Sequence, residues 1–217
     1  MFQQLSPNML KTYELCPKKF YLKYIKGITM PVNDDIFEFG KNIHALASYY
    51  LRGENLENME RSLNEREKLV WEHLRSIKYF SYEVINTEYN LAVKIGNHFF
   101  GGRLDALVKN DNTYYILDYK TGSAPKNAKY DFQTIIYILA VKEFFKTDKI
   151  TFVYIDLKNK EEVKIEYSPE MEVQYKKKIL TAVENIEKAE EPLKKKDCKC
   201  EYELICYKAL ITKWLFL

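Results

Sequence analysis

Two aspartates and a lysine lie on neighbouring segments that both have the residue pattern of a β-strand. Asp105 ends the segment Gly101–Asp105, and Asp118 and Lys120 fall in the segment Tyr115–Lys120. Because side chains alternate between the two faces of a strand, Asp118 and Lys120 project to the same side. Carboxylates and an amine placed together in this way can bind a cation and an anionic group side by side, which suits chemistry on phosphate esters.

The turn between the two segments decides whether the aspartates meet. If Asp111-Asn112 form a two-residue hairpin loop, Asp105 lies directly across from Asp118, with Cβ atoms about 5 Å apart. Leu107 then pairs with Ile116 on that same face, so the carboxylates lie just beyond an apolar patch. A three-residue loop would shift the register by one residue and change this placement.

Two facing carboxylates repel each other, and a folded protein tolerates them best when a cation lies between them. Oxygen ligands with open water positions suit Mg²⁺ or Mn²⁺. Such an ion can polarise a phosphodiester and lower the pKa of an attacking water, while Lys120 orients that water or neutralises charge on the phosphorus oxygens. An Asp-x-Lys pattern alone also occurs on ordinary surface hairpins, and Asp105 on the preceding strand is what favours a catalytic site.

Two predicted helices carry residues that could complete such a site. Gln133 and Tyr137 are four residues apart and occupy one helical face, where they either support Lys120 and contact a nucleic-acid backbone or pack at the edge of the core. His44 lies on a helix of small and apolar residues and is either a ligand or an ordinary packed histidine. The residues alone leave these alternatives open.

The four cysteines are unevenly distributed. Cys198, Cys200 and Cys206 lie within nine residues near one end of the sequence, and Cys16 lies near the other. Together they can form a four-thiolate site, and neighbouring lysines favour the thiolate form. Four thiolates suit structural Zn²⁺ as well as an iron–sulfur cluster, so the spacing leaves the metal open.

Lysine and tyrosine are the other residue types that could contact a polyanion. Lysine runs at 176–178 and 194–196 either line a DNA track through phosphate contacts or form ordinary solvated faces. The 18 tyrosines supply either surfaces for base stacking or packing at the edges of the core with the hydroxyl in water.

The elements that must position these residues follow from hydrophobic periodicity and from capping and turn signals. A helix is predicted from Ser6-Pro7 to Cys16, where Pro17 interrupts it, and a basic aromatic segment continues over 18–26. The other predicted elements are helices over 37–52, 56–79, 131–145 and 169–190 and strands over 84–94, 98–109, 113–120, 150–157 and 161–167. This order predicts an α/β fold with one domain over residues 1–217, in which a mixed β-sheet is flanked by helices.

The composition is typical of a globular protein. The 217 residues are 47% hydrophobic and 30% charged, and the formal net charge of +3 permits a polyanionic partner without requiring one. The sequence has no secretory signal pattern and no apolar run of about 18 residues. We therefore expect a cytoplasmic protein with no membrane span, whose cysteines serve metal or redox chemistry before disulfides.

The candidate residues occur in a fixed order along nearly the whole chain. They are His44, then Gly102-Arg103-Leu104-Asp105, then Asp118-Tyr119-Lys120, then Gln133-x-x-x-Tyr137. This ordered set resembles the PD-(D/E)XK nucleases of the RecB type, and among them the compact CRISPR-associated Cas-four nucleases and phage RecB-family exonucleases. The N-terminal segment Leu5–Phe20 is similar to that family as well.

The resemblance implies a restriction-endonuclease-like domain with a role for each motif. The metal, Mg²⁺ or Mn²⁺, would be held by His44, Asp105, Asp118 and the backbone carbonyl of Tyr119. The catalytic residues implied are Asp105, Asp118 and Lys120, with Gln133 and Tyr137 supporting the site and contacting DNA. Glu88 falls where some members of the family have an acidic residue, but we do not assign it to the site.

The resemblance also favours a [4Fe–4S] cluster over structural Zn²⁺ at Cys16, Cys198, Cys200 and Cys206. The cluster would join the N- and C-terminal helical segments, at residues 1–30 and 191–217, around the path of the DNA. One departure is the interval Cys198-x-Cys200, which has one intervening residue where the family usually has two.

The function implied is a Mg²⁺- or Mn²⁺-dependent DNA exonuclease acting on single-stranded ends, in CRISPR adaptation or in DNA repair and recombination. Its partners would be DNA and either CRISPR integration proteins or a helicase. The alternative is a catalytically silent DNA-binding or assembly subunit with the same fold, against which the intact Asp105, Asp118 and Lys120 argue. An iron–sulfur redox protein is disfavoured because it would leave the acidic hairpin without a purpose.

Overall fold

The computed structural model describes residues 4–31, 34–189, 192, 194–196 and 198–206. The helices are α1 (Pro7–Leu15), α2 (Pro17–Phe20), α3 (Asp34–Leu51), α4 (Glu57–Ser62), α5 (Glu65–Ser76), α6 (Phe132–Phe145) and α7 (Pro169–Lys188). The strands are β1 (Gln4–Leu5), β2 (Glu83–Ile95), β3 (His98–Asn110), β4 (Thr113–Lys120), β5 (Ile150–Asp156) and β6 (Glu161–Glu166). The predicted mixed α/β architecture is confirmed.

One six-stranded mixed sheet forms the centre of the fold. β3 pairs antiparallel with β2 along nearly its whole length, while β1 and β4 pair with different parts of β3. β1 runs parallel to it at Phe99 and Phe100, and β4 runs antiparallel to it from Ala106 to Asn110. β4 and β5 are parallel, which requires the crossover through α6, and β6 closes the sheet antiparallel to β5.

The β3–β4 hairpin has the predicted two-residue loop. Asn110 pairs with Thr113, and the register continues to Ala106 opposite Leu117. Asp111 in the loop has φ +52°, the left-handed conformation that two-residue hairpin turns require at this position. The register that brings Asp105 next to Asp118 is therefore confirmed.

Helices cover both faces of the sheet, and the strand residues alternate between two cores. Leu107, Ile116 and Phe152 join the core formed with α1, α6 and α7, while Ala106 and Val153 join the core formed with α3 and α5. α6 is buried from Thr134 through Val141, more completely than a helix with one apolar stripe. The reason is that α6 lies between the sheet and the outer helices α1 and α7, so both of its sides are covered.

The predicted helix over 56–79 was wrong, because the chain breaks it. α4 ends before Leu63, which is extended, and Asn64 begins α5 with a capping box. The Asn64 side chain accepts from Glu67 N–H, and the Glu67 carboxylate accepts from Asn64 N–H, both at 3.0 Å. A short 3₁₀ turn over Lys78–Ser81 follows. β1 was also missed, because two residues are too few for a periodic pattern.

The N-terminal segment begins as predicted and then departs from a regular helix. Ser6 caps α1 by accepting from Met9 N–H at 3.3 Å, with Pro7 at the first helical position. Cys16 ends α1 and begins α2, and a π-helical turn over Tyr21–Ile25 follows. None of the helices in the described part of the chain is long and apolar enough to cross a membrane.

Candidate active site

The site lies where β4 separates from β3. Beyond the pair Ala106–Leu117 the regular ladder ends, and the Asp105 carboxylate Oδ2 accepts a hydrogen bond from Tyr119 N–H at 2.8 Å. The Asp105 side chain, rather than a β3 carbonyl, therefore accepts the hydrogen bond from the Tyr119 N–H group. The opening that results, between two interior strands of the sheet, holds the two aspartates.

His44 reaches the same opening from α3. Its Nε2–H donates to the Tyr119 carbonyl at 2.9 Å, and its Nδ1 lies 3.1 Å from Asp105 Oδ1. Burial lowers the pKa of His44, but the hydrogen bond to Asp105 and the charges of Asp105 and Asp118 outweigh burial and raise the pKa above its ordinary value. The His44 imidazole therefore contacts two of the other metal ligands implied by the sequence, the Asp105 carboxylate and the Tyr119 carbonyl.

Asp118 is the buried carboxylate of the pair, with 3% of its surface exposed. Burial, and then the charge of Asp105, raise its pKa to about 6, and Lys120 opposes this shift. Asp118 Oδ2 lies 2.7 Å from Lys120 Nζ, an ion pair whose angles fall short of a regular hydrogen bond. This ammonium only partly offsets the burial of Asp118, since its pKa stays raised, and a bound divalent cation would stabilise the ionised carboxylate further.

Gln133 connects Asp118 to two lysines. Its Nε2 donates to Asp118 Oδ1, and its Oε1 accepts from Lys120 Nζ at 3.1 Å and from Lys11 Nζ at 3.2 Å. The backbone explains its position, because Asp131 caps α6 by accepting from Gln133 N–H at 2.8 Å. The first turn of α6 therefore points the amide at the site.

Lys11 is a residue of this site that the sequence analysis missed. It forms an ion pair with Asp131 at 2.7 Å in addition to its bond to Gln133. Lys11 and Gln133 are 122 residues apart in sequence. A single lysine in a polar stretch of α1 carries no local signal, so only the tertiary structure could identify it.

Tyr137 supports β3 from one helical turn further along α6. Its hydroxyl donates to the Arg103 carbonyl at 3.0 Å. A Cβ atom on Gly102 would lie 2.7 Å from that hydroxyl, so glycine is needed for this close approach. Gln133 and Tyr137 thus share one face of α6, with Gln133 at the carboxylates and Tyr137 at the strand that carries Asp105.

Glu88 on β2 is a further acidic residue beside the carboxylates. It lies between the pairs Thr87–Ala106 and Tyr89–Leu104 and so faces Asp105 across the ladder. Ligand atoms of His44, Glu88 and Asp105 all lie within 4.8 Å of one another. Glu88 has φ +50°, which a non-glycine residue in a strand adopts only under strain.

These residues fit a divalent cation. Ligand atoms of two carboxylates and an imidazole, from Glu88, Asp105 and His44, lie within 4.8 Å of one another. The Asp118 carboxylate, outside that group, is buried beside it and has a raised pKa. Hard oxygen ligands of this kind suit Mg²⁺ or Mn²⁺.

The four thiols come together at a second place, where the N-terminal helices meet the last described segment. Burial raises the pKa of Cys16, but N–H groups of Lys195, Lys19 and Lys18 and the Cys198 thiol outweigh it, so the pKa lies below its ordinary value. Burial, with Cys16 and Cys200, raises the pKa of Cys198.

Cys206 is buried in a small cluster with Leu22 and Tyr202. The Tyr202 hydroxyl donates to the Ile28 carbonyl at 2.7 Å, and Glu201 lies 3.0 Å from Lys19. Side-chain contacts thus hold the two ends of the described chain together. Residues 207–217 of the predicted cluster region lie outside the described residues.

Comparison with known proteins identifies the class to which this fold and site belong. The family model of the PD-(D/E)XK nuclease superfamily matches residues 4–207, and the chain belongs to this superfamily. A CRISPR-associated exonuclease Cas4 from Francisella tularensis subsp. novicida (strain U112) is 26% identical over 155 residues, which are 71% of this chain and 68% of that protein.

A crystal structure from Eubacterium rectale, of a protein that bears the name exonuclease, has the same fold. It superposes with a TM-score of 0.60 and 11% sequence identity, covering 95% of this chain and 88% of that one.

The protein is therefore a nuclease of a superfamily that uses divalent metals and acts on DNA. The resemblance inferred from the ordered motifs is confirmed.

Proposed function

We propose that the protein is a Mg²⁺- or Mn²⁺-dependent DNA exonuclease that cleaves phosphodiester bonds at single-stranded ends. One observation carries the proposal. Three elements, α3, β3 and β4, bring His44, Asp105, Asp118 and Lys120 to the point where β3 and β4 separate. Gln133 of α6 is bonded to both Asp118 and Lys120. A structural role alone would not require the buried Asp118 carboxylate to lie beside the partly buried Asp105 carboxylate.

The residues that would hold the ion are His44, Asp105, Asp118 and the Tyr119 carbonyl. Such an ion supplies polarisation of the scissile phosphodiester and a lowered pKa for the attacking water. Asp105 accepts the Tyr119 N–H and so fixes both strands of the opening. Because that bond occupies Oδ2, its Oδ1 is the oxygen that faces His44.

Lys120 supplies positive charge at the site. Its ammonium is held by Asp118 and by Gln133 Oε1, and it lies over the Tyr154 ring at 5.5 Å. It keeps 28% of its side chain exposed, enough to meet a phosphate. A pre-positioned cation stabilises charge that develops on phosphorus oxygens without reorganising during the reaction.

Glu88 would bind the ion directly or bind it through a water molecule. Its strained backbone conformation costs on the order of 1 kcal/mol. The Glu88 carboxylate also lies within 4.8 Å of the Asp105 carboxylate, and the repulsion between the two charges costs further free energy. Arg103 Nε, 2.8 Å away, compensates only in part because 63% of that side chain is exposed. Strain of this kind is typical of functional positions.

The first expected result concerns the cation. Cleavage should require Mg²⁺ or Mn²⁺, and Ca²⁺ should support DNA binding with little cleavage, because calcium takes more ligands at longer distances and activates water poorly. The measurement is turnover of a labelled oligonucleotide beside an affinity titration in each metal. Full activity in excess chelator would rule out the metal-dependent mechanism.

The second concerns Glu88. Glu88→Gln should raise the Mn²⁺ concentration for half-maximal activity about tenfold, since it removes a charge beside the proposed ligands. Glu88→Asn should have the same effect with an equal or higher melting temperature, because Asn tolerates a positive φ and relieves repulsion with Asp105. Glu83→Gln, at the exposed start of the same strand, is the control. A Glu88→Gln variant with the wild-type metal dependence would contradict this role.

The exonuclease activity and the CRISPR setting are supported by the similarity to the CRISPR-associated exonuclease Cas4. The preference for single-stranded ends and the alternative setting in DNA repair and recombination rest on the resemblance of the ordered motifs. Protein partners in these settings would be CRISPR integration proteins or a helicase. The test compares linear single-stranded, linear double-stranded and circular single-stranded DNA of one sequence. Progressive shortening of the linear single strand, with the circle left intact, is the expected result. Cleavage of the circle would replace the exonuclease assignment with an endonuclease.

We also propose that Cys16, Cys198, Cys200 and Cys206 hold a [4Fe–4S] cluster, with residues 1–30 and 191–217 as its region in one nuclease domain. The Cys198 thiol contacts Cys16 and Cys200, and the Cys206 thiol lies close enough to Cys16 and Cys200 for their charges to act on it, which supports one four-thiolate site. Structural Zn²⁺ is the alternative for such a site, and the choice of the cluster rests on the resemblance of the motifs.

A further inference from the structure

A groove of about 730 Å³ lies beside the candidate active site, between α1, α7 and the turn that precedes α6. Its walls are mainly apolar and include the rings of Tyr13, Tyr130 and Phe132. Tyr130 is fixed by its hydroxyl, which donates to Gln174 at 2.8 Å, and by an edge contact with Tyr175. The groove is large enough for a nucleobase with its sugar.

Two pairs of consecutive residues join the groove to the active site. Leu10 lines the groove, and the next residue, Lys11, contacts Gln133. Phe132 lines the groove, and the next residue, Gln133, contacts Asp118 and Lys120. The groove and the candidate active site are therefore built on neighbouring residues of the same two helices, α1 and α6.

The rim of the groove is basic, and both lysine runs of the sequence contribute to it. Lys177 and Lys178 come from the first run and Lys195 from the second. Lys178 lies over the Phe132 ring at 4.5 Å and pairs with Glu14, the one carboxylate that lines the groove. Lys177 is exposed and has no ion-pair partner among the described residues.

We propose that this groove binds a base of the DNA strand being cleaved, stacked on Tyr130 and Tyr13, with its flanking phosphates on Lys177 and Lys195. Aromatic walls with lysines at the rim match a nucleotide, which has an apolar face and a charged backbone. An apolar peptide would leave the lysines without a counter-charge. The proposal rests on the proposed nuclease function and adds a base-binding subsite to it.

The test uses the full-length protein and a single-stranded oligonucleotide, in chelator so that no cleavage occurs. Tyr130→Ala should weaken binding about tenfold, since stacking is lost. Tyr130→Phe should bind like the wild type, because it keeps the ring and loses only the bond to Gln174. Lys177→Glu should weaken binding and flatten its salt dependence, whereas Lys188→Glu, with the same charge change outside the groove on α7, should not.

The base itself is tested by two changes to the DNA. An abasic residue at the nucleotide next to the scissile bond should weaken wild-type binding as much as Tyr130→Ala does, and the two changes together should cost no more than one of them. 5-Iodouracil at that nucleotide should crosslink to the peptide that holds Tyr130 or Tyr13. If the groove holds a second copy of the chain or a peptide instead, the crosslinks will map to peptides outside the groove. The Lys177→Glu and Lys188→Glu variants will then have the same affinity for the oligonucleotide.

These outcomes separate the subsite from the nuclease. Normal cleavage by the wild type together with crosslinks outside the groove would overturn the subsite and leave the nuclease function standing. A wild-type protein that neither binds nor cleaves DNA in Mn²⁺ would overturn both.

Discussion

Lys120→Ala is expected to lower DNA cleavage about 10²–10³-fold while leaving the fold and the affinity for DNA close to wild type. The side chain is partly exposed and contacts Asp118, Gln133 and the Tyr154 ring, so its loss creates no large cavity. Its charge acts mainly on the transition state, because the phosphate gains charge there. Turnover of a labelled oligonucleotide, with a separate affinity titration, measures the two effects independently.

Lys11→Ala is the matched control for this variant. Lys11 donates to the same Gln133 oxygen and has the same 28% exposed side chain. If Lys120 acts only by holding Gln133, the two variants should lose similar activity. A catalytic Lys120 predicts a much larger loss than for Lys11, and undiminished cleavage by Lys120→Ala would contradict the assignment.

Asp118→Ala and the isosteric Asp118→Asn should also abolish DNA cleavage. The pKa of Asp118 is raised to about 6, chiefly by burial, whereas an unfolded aspartate has a pKa of about 3.9. As the pH rises from about 4 to about 6, the unfolded chain ionises Asp118 more readily than the folded chain does, so the metal-free fold loses stability. Asp118→Asn removes this loss. Asn also places its amide N–H against Lys120 or Gln133, which offsets part of this gain. We expect no cleavage and a melting temperature close to wild type at neutral pH, which would exclude unfolding as the cause of inactivity.

The parts of the site that lie on regular local structure could be predicted from the sequence. The two-residue loop at Asp111-Asn112 determined the hairpin register and with it the meeting of Asp105 and Asp118. The four-residue spacing of Gln133 and Tyr137 predicted their common helical face. Both predictions rest on fixed geometric periods, 2 along a strand and 3.6 along a helix, which tertiary packing did not change here.

Other features depended on tertiary contacts or were overlooked. Lys11 reaches Gln133 because α1 packs on α6, and no sequence period relates the two. The positive φ of Glu88 has no local signal, since glutamate does not favour that conformation. The break in the predicted helix over 56–79 did have a signal, the Asn64-x-x-Glu67 capping box, which was hidden by the charged pattern around it.

The second large effect is expected at the cysteines. Protein purified without oxygen should contain about four irons and four sulfides per chain, and Cys16→Ser should lower the iron content and the melting temperature together. Cys16 is buried and accepts from backbone N–H groups of Lys18, Lys19 and Lys195, as a thiolate ligand would need. A metal site that joins Cys16 to Cys198–Cys206 closes a loop of most of the chain and constrains the unfolded state, by about 5 kcal/mol in the chain-entropy model.

Tyr202→Phe is the control, because it removes the bond to the Ile28 carbonyl in the same region without removing a thiol. It should lower the melting temperature slightly and keep the full iron content. Stoichiometric zinc without iron in the wild type would overturn the cluster and leave the nuclease standing, since the carboxylates lie on other elements. Full iron in Cys16→Ser would mean that the short Cys198-x-Cys200 interval has changed the ligand set. Cleavage should fall only indirectly in Cys16→Ser, through α1, because that helix ends at Cys16 and carries Lys11 to the active site.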